Sequence, residues 1–370
     1  MHSLRICHFT SVHPWNDIRI FHKECVSLAA IGHDVTLVAV GDKDDDFVLQ
    51  GVRVVTVVNS FTGRVSRALR FSRKIVSSAL SIDADIYHFH DPELLPYANR
   101  FVRRSKKVVY DVHEDLPRQI STKPWIPKWL RNFAGSVAES VENRLVRNVS
   151  GVVAATPHIE NRFQLLTSNT CCVFNAPLLR EFSLQSTPAY NSRNLVYIGL
   201  ISEKRGILTL LQALEHIHGR LQLAGKFESE QLLAQCKSMA GWSKVDYHGM
   251  LDRAGIARLL EQSAVGMVTL HPTTNYLESY PIKMFEYMGA ALPVVASDFP
   301  LWRSIVERHV AGVCVNPLDS EAIANAVNRL LDNADQCRKM GERGRRHIVH
   351  EFNWEHEASK LNAFYQLLVK

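Results

Sequence analysis

The sequence predicts an α/β protein of two domains, each built on a parallel sheet with helices on both faces. Three observations carry this. Short apolar, β-branched runs alternate with helical patterns, as in βαβ units. The alternation breaks once, at the polar stretch Gln185–Arg193 containing Pro188, and then restarts. The 370 residues are enough for two domains at roughly 100–200 residues each. In order, the first half gives strands at Arg5–Thr10, Asp34–Val40, Val52–Val58, Ile86–His90, Lys107–Val112 and Gly151–Ala155. Its helical patterns are Ile20–Ile31 (stopped by Gly32), Phe71–Leu80 and Trp129–Val146. The second half gives strands at Asn194–Ile198, Leu221–Ala224, Val245–His248, Val265–Leu270 and Pro293–Ala296. Helices fall at Ile207–His216, Gln231–Met239, Ala254–Ser263, Ile282–Met288 and Ser320–Asp332. The expected domains are residues 1–185 and 190–350, each resembling a Rossmann sheet. Ligands of such sheets lie beyond the carboxyl ends of the strands, so two sheets facing across a cleft are expected to share one site.

Composition narrows the class. Hydrophobic residues at 46% and charged residues at 22% are ordinary for a globular chain. No apolar run reaches the roughly 20 residues of a bilayer span. Met1–Arg5 leads directly into a strand pattern with no leader-like apolar region, so a cytoplasmic location is expected. The seven cysteines form no Cys-x-x-Cys pair, and free thiols are expected. The net charge of +6 is uneven: residues 1–185 hold 23 basic and 18 acidic side chains, leaving 20 and 19 for the rest. A basic first half points to an anionic partner.

The most informative stretch runs from Asn275 to Ser297, NYLESYPIKMFEYMGAALPVVAS. Glu278 and Glu286 are separated by seven residues. Pro281 suits the first turn of a helix, Gly289–Ala291 would end it, and Pro293 opens the next strand. Glu278 is then in the loop before the helix and Glu286 about one turn inside. The helix N-terminus, with free N–H groups and a positive dipole end, suits a diphosphate. Two solvated helix glutamates are the bland alternative; the strand–loop–helix–strand setting favours the site.

This segment resembles the E-x7-E motif of glycosyltransferase family 4, retaining enzymes of the GT-B fold. Ser11–Glu24 (SVHPWNDIRIFHKE), His88–Leu95 (HFHDPELL) and Tyr110–Asp115 (YDVHED) are similar to members that build bacterial surface polysaccharides. The resemblance implies that Glu286 binds the nucleotide ribose, Glu278 contacts the donor sugar, and the backbone of Ser279, Tyr280 and Pro281 approaches the donor. It implies a histidine near the reacting sugar at His113, which without the resemblance reads as structural. A second family element, a basic pair after the first strand of the second domain, reads here Tyr197-Ile-Gly-Leu-Ile-Ser-Glu-Lys-Arg-Gly206. Gly199 shapes that turn and Arg205 stands where the family has lysine. Leu200 replaces the usual arginine, and Lys283, three residues before Glu286, is a candidate substitute or else a solvated surface lysine. Asp17 and Arg19 are candidate acceptor contacts, with Asp17 equally a helix N-cap. The segment from Phe352 reads as a helix that, by the resemblance, crosses back to the first domain over about 352–370.

The expected reaction moves a hexosyl group from a nucleotide sugar, as substrate, to a hydroxyl of a glycan or lipid-linked glycan. No cofactor and no metal are expected. The Asp-x-Asp matches at Asp42–Asp46 and Asp83–Asp85 read as a solvated charge run and as the wrong strand end. Arg64, Arg67, Arg70, Arg73 and Lys74, then Arg100, Arg103, Arg104, Lys106 and Lys107, and Trp125–Arg131, suit an anionic membrane surface or an ordinary solvated face. Peripheral attachment to the inner face of the cell membrane would fit a lipid-linked acceptor. The alternatives are a sugar-nucleotide epimerase of the same fold and a nucleic-acid-binding protein. The second lacks any helix-turn-helix, zinc or RNP signature, so no nucleic-acid partner is expected.

Overall fold

A computed structural model describes residues 3–61, 70–122, 126–179, 187–277 and 279–370. Glu278, Arg64, Arg67, Trp125 and Gln185 lie outside the described residues. The chain forms two compact units, Met1–Asn175 with Trp354–Lys370, and Ala176–Asn353. The first unit ends earlier than the 185 expected from the polar stretch, soon after a short strand completes its sheet.

The first unit's sheet contains β1 (Arg5–Pro14), β2 (Asp34–Gly41), β3 (Asp45–Leu49), β4 (Val52–Val58), β5 (Ile86–Phe89), β6 (Lys107–Val112), β7 (Gly151–Ala154) and β8 (Thr170–Cys172). Their order is β3-β4-β2-β1-β5-β6-β7-β8, parallel throughout except for the antiparallel pair β3–β4. β3 was not expected. The acidic run in which it begins is held by nearby cations, Asp44 by Lys74, Asp45 by Lys43 and Asp46 by Arg53. Strand direction across the sheet order reverses its winding between β1 and β5, so the crevice beyond their carboxyl ends is where this topology places ligands.

The expected Ile20–Ile31 helix differs in detail. Ile18–Cys25 winds as a π-helix and only Val26–Ala30 is α-helical. The wider turn brings Arg19, Lys23 and Glu24 inward, where all three are buried. The last helix, Trp354–Val369, belongs to this unit. Trp354 Nε1 donates to the Lys23 carbonyl at 3.1 Å and to Ser27 Oγ at 2.8 Å, and Glu357 accepts from the Phe174 N–H at 2.7 Å. Phe364 packs so closely on Gly151 that a Cβ there would meet its ring at 2.6 Å.

The second unit's sheet contains β9 (Asn194–Ile198), β10 (Arg220–Ala224), β11 (Val245–Gly249), β12 (Val265–Val268), β13 (Val294–Ser297) and β14 (Gly312–Val315). Every pair is parallel, in the order β11-β10-β9-β12-β13-β14. Its winding reverses between β9 and β12. Helices Ile207–His216 and Ser320–Leu331 cover one face, burying Leu210, Leu211, Leu214, Ile323, Val327 and Leu330 in one core. All seven cysteines are free thiols. Among the described residues no helix is long and apolar enough to cross a membrane.

Candidate active site

Beyond the carboxyl ends of β1, β5 and β6, the first unit gathers His13, His90, Asp91, Asp111 and His113. His113 follows β6 and keeps 20% of its side chain exposed. Its Nε2 lies 2.9 Å from Asp111 Oδ2. Asp111 is fully buried, and Arg19 grips it with Nη2 3.1 and 3.2 Å from its two oxygens. Burial opposes the charge, but Arg19 and His113 outweigh it and hold Asp111 ionised, well below the usual carboxylate range. Arg19 Nε also lies 3.0 Å from buried Glu24. One guanidinium serves two buried carboxyls. Burial, with the charge of Asp111, pushes Glu24 well above its ordinary range, so it is the neutral member.

Behind this pair lies a chain of histidines. His90 Nδ1 is 3.2 Å from Asp111 Oδ2, His8 Nδ1 is 3.1 Å from His90 Nε2, and His8 Nε2 is 3.3 Å from the Tyr365 hydroxyl. Tyr365 also bonds His88 Nδ1. Burial pushes all three histidines down, His8 and His90 far down, so they are neutral and each donates through one nitrogen. Ionised Asp111 only accepts, which sets the directions. His113 Nε2–H and His90 Nδ1–H donate to Asp111 and His8 Nδ1–H to His90, while the Tyr365 hydroxyl bridges His8 and His88, whose Nε2 lies 3.7 Å from Asp111 Oδ2. His113 holds Asp111 through Nε2, which leaves Nδ1 as the ring nitrogen available to a ligand.

One expected acceptor contact, Arg19, is corrected here, and at Asp17 the N-cap alternative holds. Arg19 is 6% exposed, and its guanidinium is taken up by Asp111, Glu24 and the Val173 carbonyl. Asp17 is the N-cap, its Oδ1 accepting from the N–H groups of Arg19 and Ile20 at 2.8 and 2.9 Å. Its other oxygen lies 3.4 Å from His13 Nδ1 and, with help from Asp91, raises His13 above the ordinary histidine range. Asp83 and Asp85 bind Arg5, and Asp83 also binds Lys106.

In the second unit, the turn after β9 carries Gly199 at φ 118° and Gly206 at φ 79°. A Cβ on Gly206 would meet the Thr269 carbonyl at 1.9 Å, so only glycine lets this turn close on the strand end of β12. Arg205 sits in this turn with its Nε buried and without a hydrogen-bond partner. Lys283, one residue into the Ile282–Gly289 helix, is buried, which overturns the solvated alternative. Its Nζ lies 3.6 Å from the centroid of the Tyr197 ring and has no hydrogen-bond acceptor. Burial, then the charge of Arg205, push Lys283 well below the ordinary lysine range, against the pull of Glu286. Glu286 lies further along the helix, 3.7 Å from an Arg253 nitrogen. Pro281 is the N-cap of the helix rather than its first residue. The Ser279 carbonyl accepts from Trp302 Nε1 at 2.7 Å, and Tyr280 packs against Phe285 and Phe352. Next to Gly199 lies a 340 Å³ cavity, mainly apolar, walled by Leu200, Gly225, Met250, Leu251 and Ile256.

The sequence model described as Glycosyltransferase Family 4 matches residues 20–167, and the one described as Glycosyl transferases group 1 matches 180–347. The chain belongs to glycosyltransferase family 4. Among relatives of this glycosyltransferase is the phosphatidyl-myo-inositol mannosyltransferase of Mycobacterium leprae, 24% identical over 92% of this chain and 89% of the relative. The O-antigen chain mannosyltransferase C of Escherichia coli is 23% identical over 74% of this chain and 73% of the relative. In fold the enzyme is GT-B. It is similar to sucrose-phosphate synthase from Thermosynechococcus elongatus, with TM-score 0.76, 17% identity, and coverage of 98% and 99% of the two chains. The UDP complex of Anabaena HepE gives TM-score 0.72 at 15% identity, covering 98% and 100%.

Sequence reasoning about this glycosyltransferase passed over His13, Asp111, Glu24 and Tyr365. Asp111 had a local signal, two residues before His113 on the same strand face. Tyr365 had none, since its partners are near the other end of the chain.

Proposed function

We propose that this glycosyltransferase moves a hexosyl group from a nucleotide sugar to a hydroxyl of a glycan or lipid-linked glycan, with retention and without a metal ion. The observation that carries the reading is the pair Arg205 and Lys283, two cationic side chains with buried, unpartnered nitrogens beside a glycine turn and a helix start. A buried cation without a counter-ion is costly unless a ligand supplies one. A diphosphate would supply it, and the two cations would stabilise the leaving group as a metal does elsewhere.

On this reading Glu286 accepts from the ribose hydroxyls and the apolar cavity beside Gly199 takes the base. The family motif assigns Glu278 to the donor sugar and the Ser279–Pro281 backbone to its approach. His113, its ring fixed by Asp111, would hydrogen-bond a sugar hydroxyl through Nδ1, and His13 beside it is the stronger candidate for the acceptor side. With no evident nucleophile in the residue set, the leaving phosphate oxygen would take the acceptor proton on the same face of the sugar. Water exclusion would limit hydrolysis.

The relatives named as mannosyltransferases favour mannose as the hexose and a surface glycan such as lipopolysaccharide as the product. A lipid-linked acceptor would call for peripheral attachment to the inner face of the membrane. Both family models describe glycosyl transfer, which favours this reading over the epimerase. The test is calorimetric titration with UDP and GDP in EDTA, followed by turnover of the matching nucleotide sugars. Micromolar binding of one nucleotide is expected. Binding of neither, or binding only with added metal, would overturn the donor-site assignment.

A further inference from the structure

The helix Lys128–Val146 has two unlike sides. One is packed against the first unit: Gly135, Glu142 and Val146 are buried, and Glu142 accepts from the Tyr110 hydroxyl at 2.9 Å and pairs with Arg162. The other side exposes Trp129 by 79%, Phe133 by 68%, Val137 by 46% and Val141 by 52%. These four recur every fourth residue. At 100° per residue each step turns only about 40°, so they form one continuous stripe about 18 Å long. A Trp and a Phe this open, in line, are more than the scattered apolar exposure of an ordinary surface.

The polar residues of that face decide what it fits. Ser136 and Ser140 lie within the stripe, and exposed Arg144 and Arg147 close its end. The helix's carboxylates are elsewhere, Glu142 buried and Glu139 half-buried. From Arg147 the chain reaches Ser150, whose Oγ accepts from the Val108 N–H at 3.0 Å. This bond joins the helix end to the start of β6, beside which Arg103, Arg104 and Lys107 are exposed. An apolar aromatic stripe running into cations, with no exposed carboxylate on the helix and nearby Asp83 paired with Arg5 and Lys106, matches an interfacial helix on anionic lipid. A second copy packed on the same face would cover Arg144 and Arg147 without offering them a carboxylate from the stripe.

We propose that this face docks the first unit on an anionic bilayer, with Trp129 and Phe133 entering the headgroup region and Arg144, Arg147, Arg103 and Lys107 meeting lipid phosphates. It names the surface for the membrane attachment proposed above and rests on that reading. Of the segments the sequence offered, it favours Trp125–Arg131 and the Arg103–Lys107 cluster over Arg64–Lys74, and extends the contact along the whole helix.

The test is flotation of the full chain with vesicles of phosphatidylcholine alone and of phosphatidylcholine with phosphatidylglycerol in equal parts. The wild type is expected to float with the anionic vesicles only, and less at 0.5 M salt, on the order of the Debye screening of exposed charges. Trp129→Ser/Phe133→Ser is expected to lower the partition at least about tenfold, as loss of two large apolar contacts implies. Arg144→Glu/Arg147→Glu is expected to lower it on anionic vesicles with the helix stripe intact. Circular dichroism and nucleotide affinity should match wild type in both variants, which keeps a folding defect or a donor-site failure separate. Wild-type flotation that neither variant weakens overturns this surface and leaves membrane attachment standing. No flotation of the wild type overturns both. A dimer in sedimentation that Trp129→Ser/Phe133→Ser dissolves, without flotation, assigns the face to a second copy and overturns the proposal.

Discussion

The ammonium of Lys283 lies 3.6 Å from the centre of the Tyr197 ring, buried and without an acceptor. A site left this way is less stable empty than filled. Lys283→Met keeps much of the stem volume and removes the charge. We expect the unliganded protein to melt higher, by about 2–4 °C for each kcal/mol of relieved desolvation in a unit this size. Nucleoside diphosphate affinity should drop by roughly 10- to 100-fold, the size of a charged hydrogen bond. Scanning calorimetry with and without nucleotide reads both effects. A melting point that falls with affinity intact would contradict the assignment.

Binding should also take up a proton. The free protein holds Lys283 below its ordinary range, because burial and Arg205 oppose its charge, and a bound diphosphate would restore it. Affinity should therefore fall as pH rises through the window between the lowered and ordinary lysine values. Over the same window the unfolded chain binds the proton that the native state lacks, so unliganded stability rises with pH. Titrations in two buffers of different ionisation enthalpy count the proton. No uptake in the wild type, or equal uptake in Lys283→Met, would rule this out.

Glu286→Ala should abolish detectable nucleotide binding while the far-ultraviolet spectrum and melting point stay close to wild type. Glu286 is part-exposed on its helix, so its removal leaves no large void. Unchanged affinity would remove it from the site.

Arg19→Met leaves Asp111 buried without its main counter-ion. Breaking one side of such a pair costs about 3–5 kcal/mol, so urea unfolding should shift to markedly lower midpoint. Had Arg19 bound the acceptor as first expected from the sequence, the variant would lose activity with stability unchanged.

Tyr365→Phe removes the hydroxyl that bridges His8 and His88. Nitrogen-15 spectra of the ring nitrogens should show His8 or His90 changing tautomer, and kcat should fall more than KM rises. A purely packing role would leave the tautomers as they are.

Much of this was legible in the sequence. The strands of both sheets stood out because parallel strands buried on both faces are continuous β-branched runs, as in Asp34–Val40. Missed strands had shorter or interrupted runs: β8 is three half-buried residues, Thr170–Cys172, β14 is only Gly312–Val315 with a glycine at its start, and β3 begins in an acidic stretch. The loop and helix around Glu286 were placed by Pro281 and Gly289, residues whose backbone limits are local. What stayed hidden depended on partners far along the chain. Arg19 reads as a surface cation until β6 brings Asp111 to it, and Lys283 until the turn after β9 brings Arg205. The π-helix at Ile18–Cys25 leaves no mark because an apolar pattern only eight residues long cannot separate its wider turn from that of an α-helix.

The helix Trp354–Val369 carries a consequence for biosynthesis. The first unit's histidine chain ends on Tyr365, and Trp354 and Glu357 fasten the π-helix and the end of β8. A ribosome must therefore deliver all of Ala176–Asn353 before the unit begun at Met1 receives its last piece. The second unit is continuous and can mature first, while the first waits with two buried imidazoles, His8 and His88, short of a partner. Cutting the gene at the apparent boundary near residue 176 would release one self-sufficient module and one incomplete one.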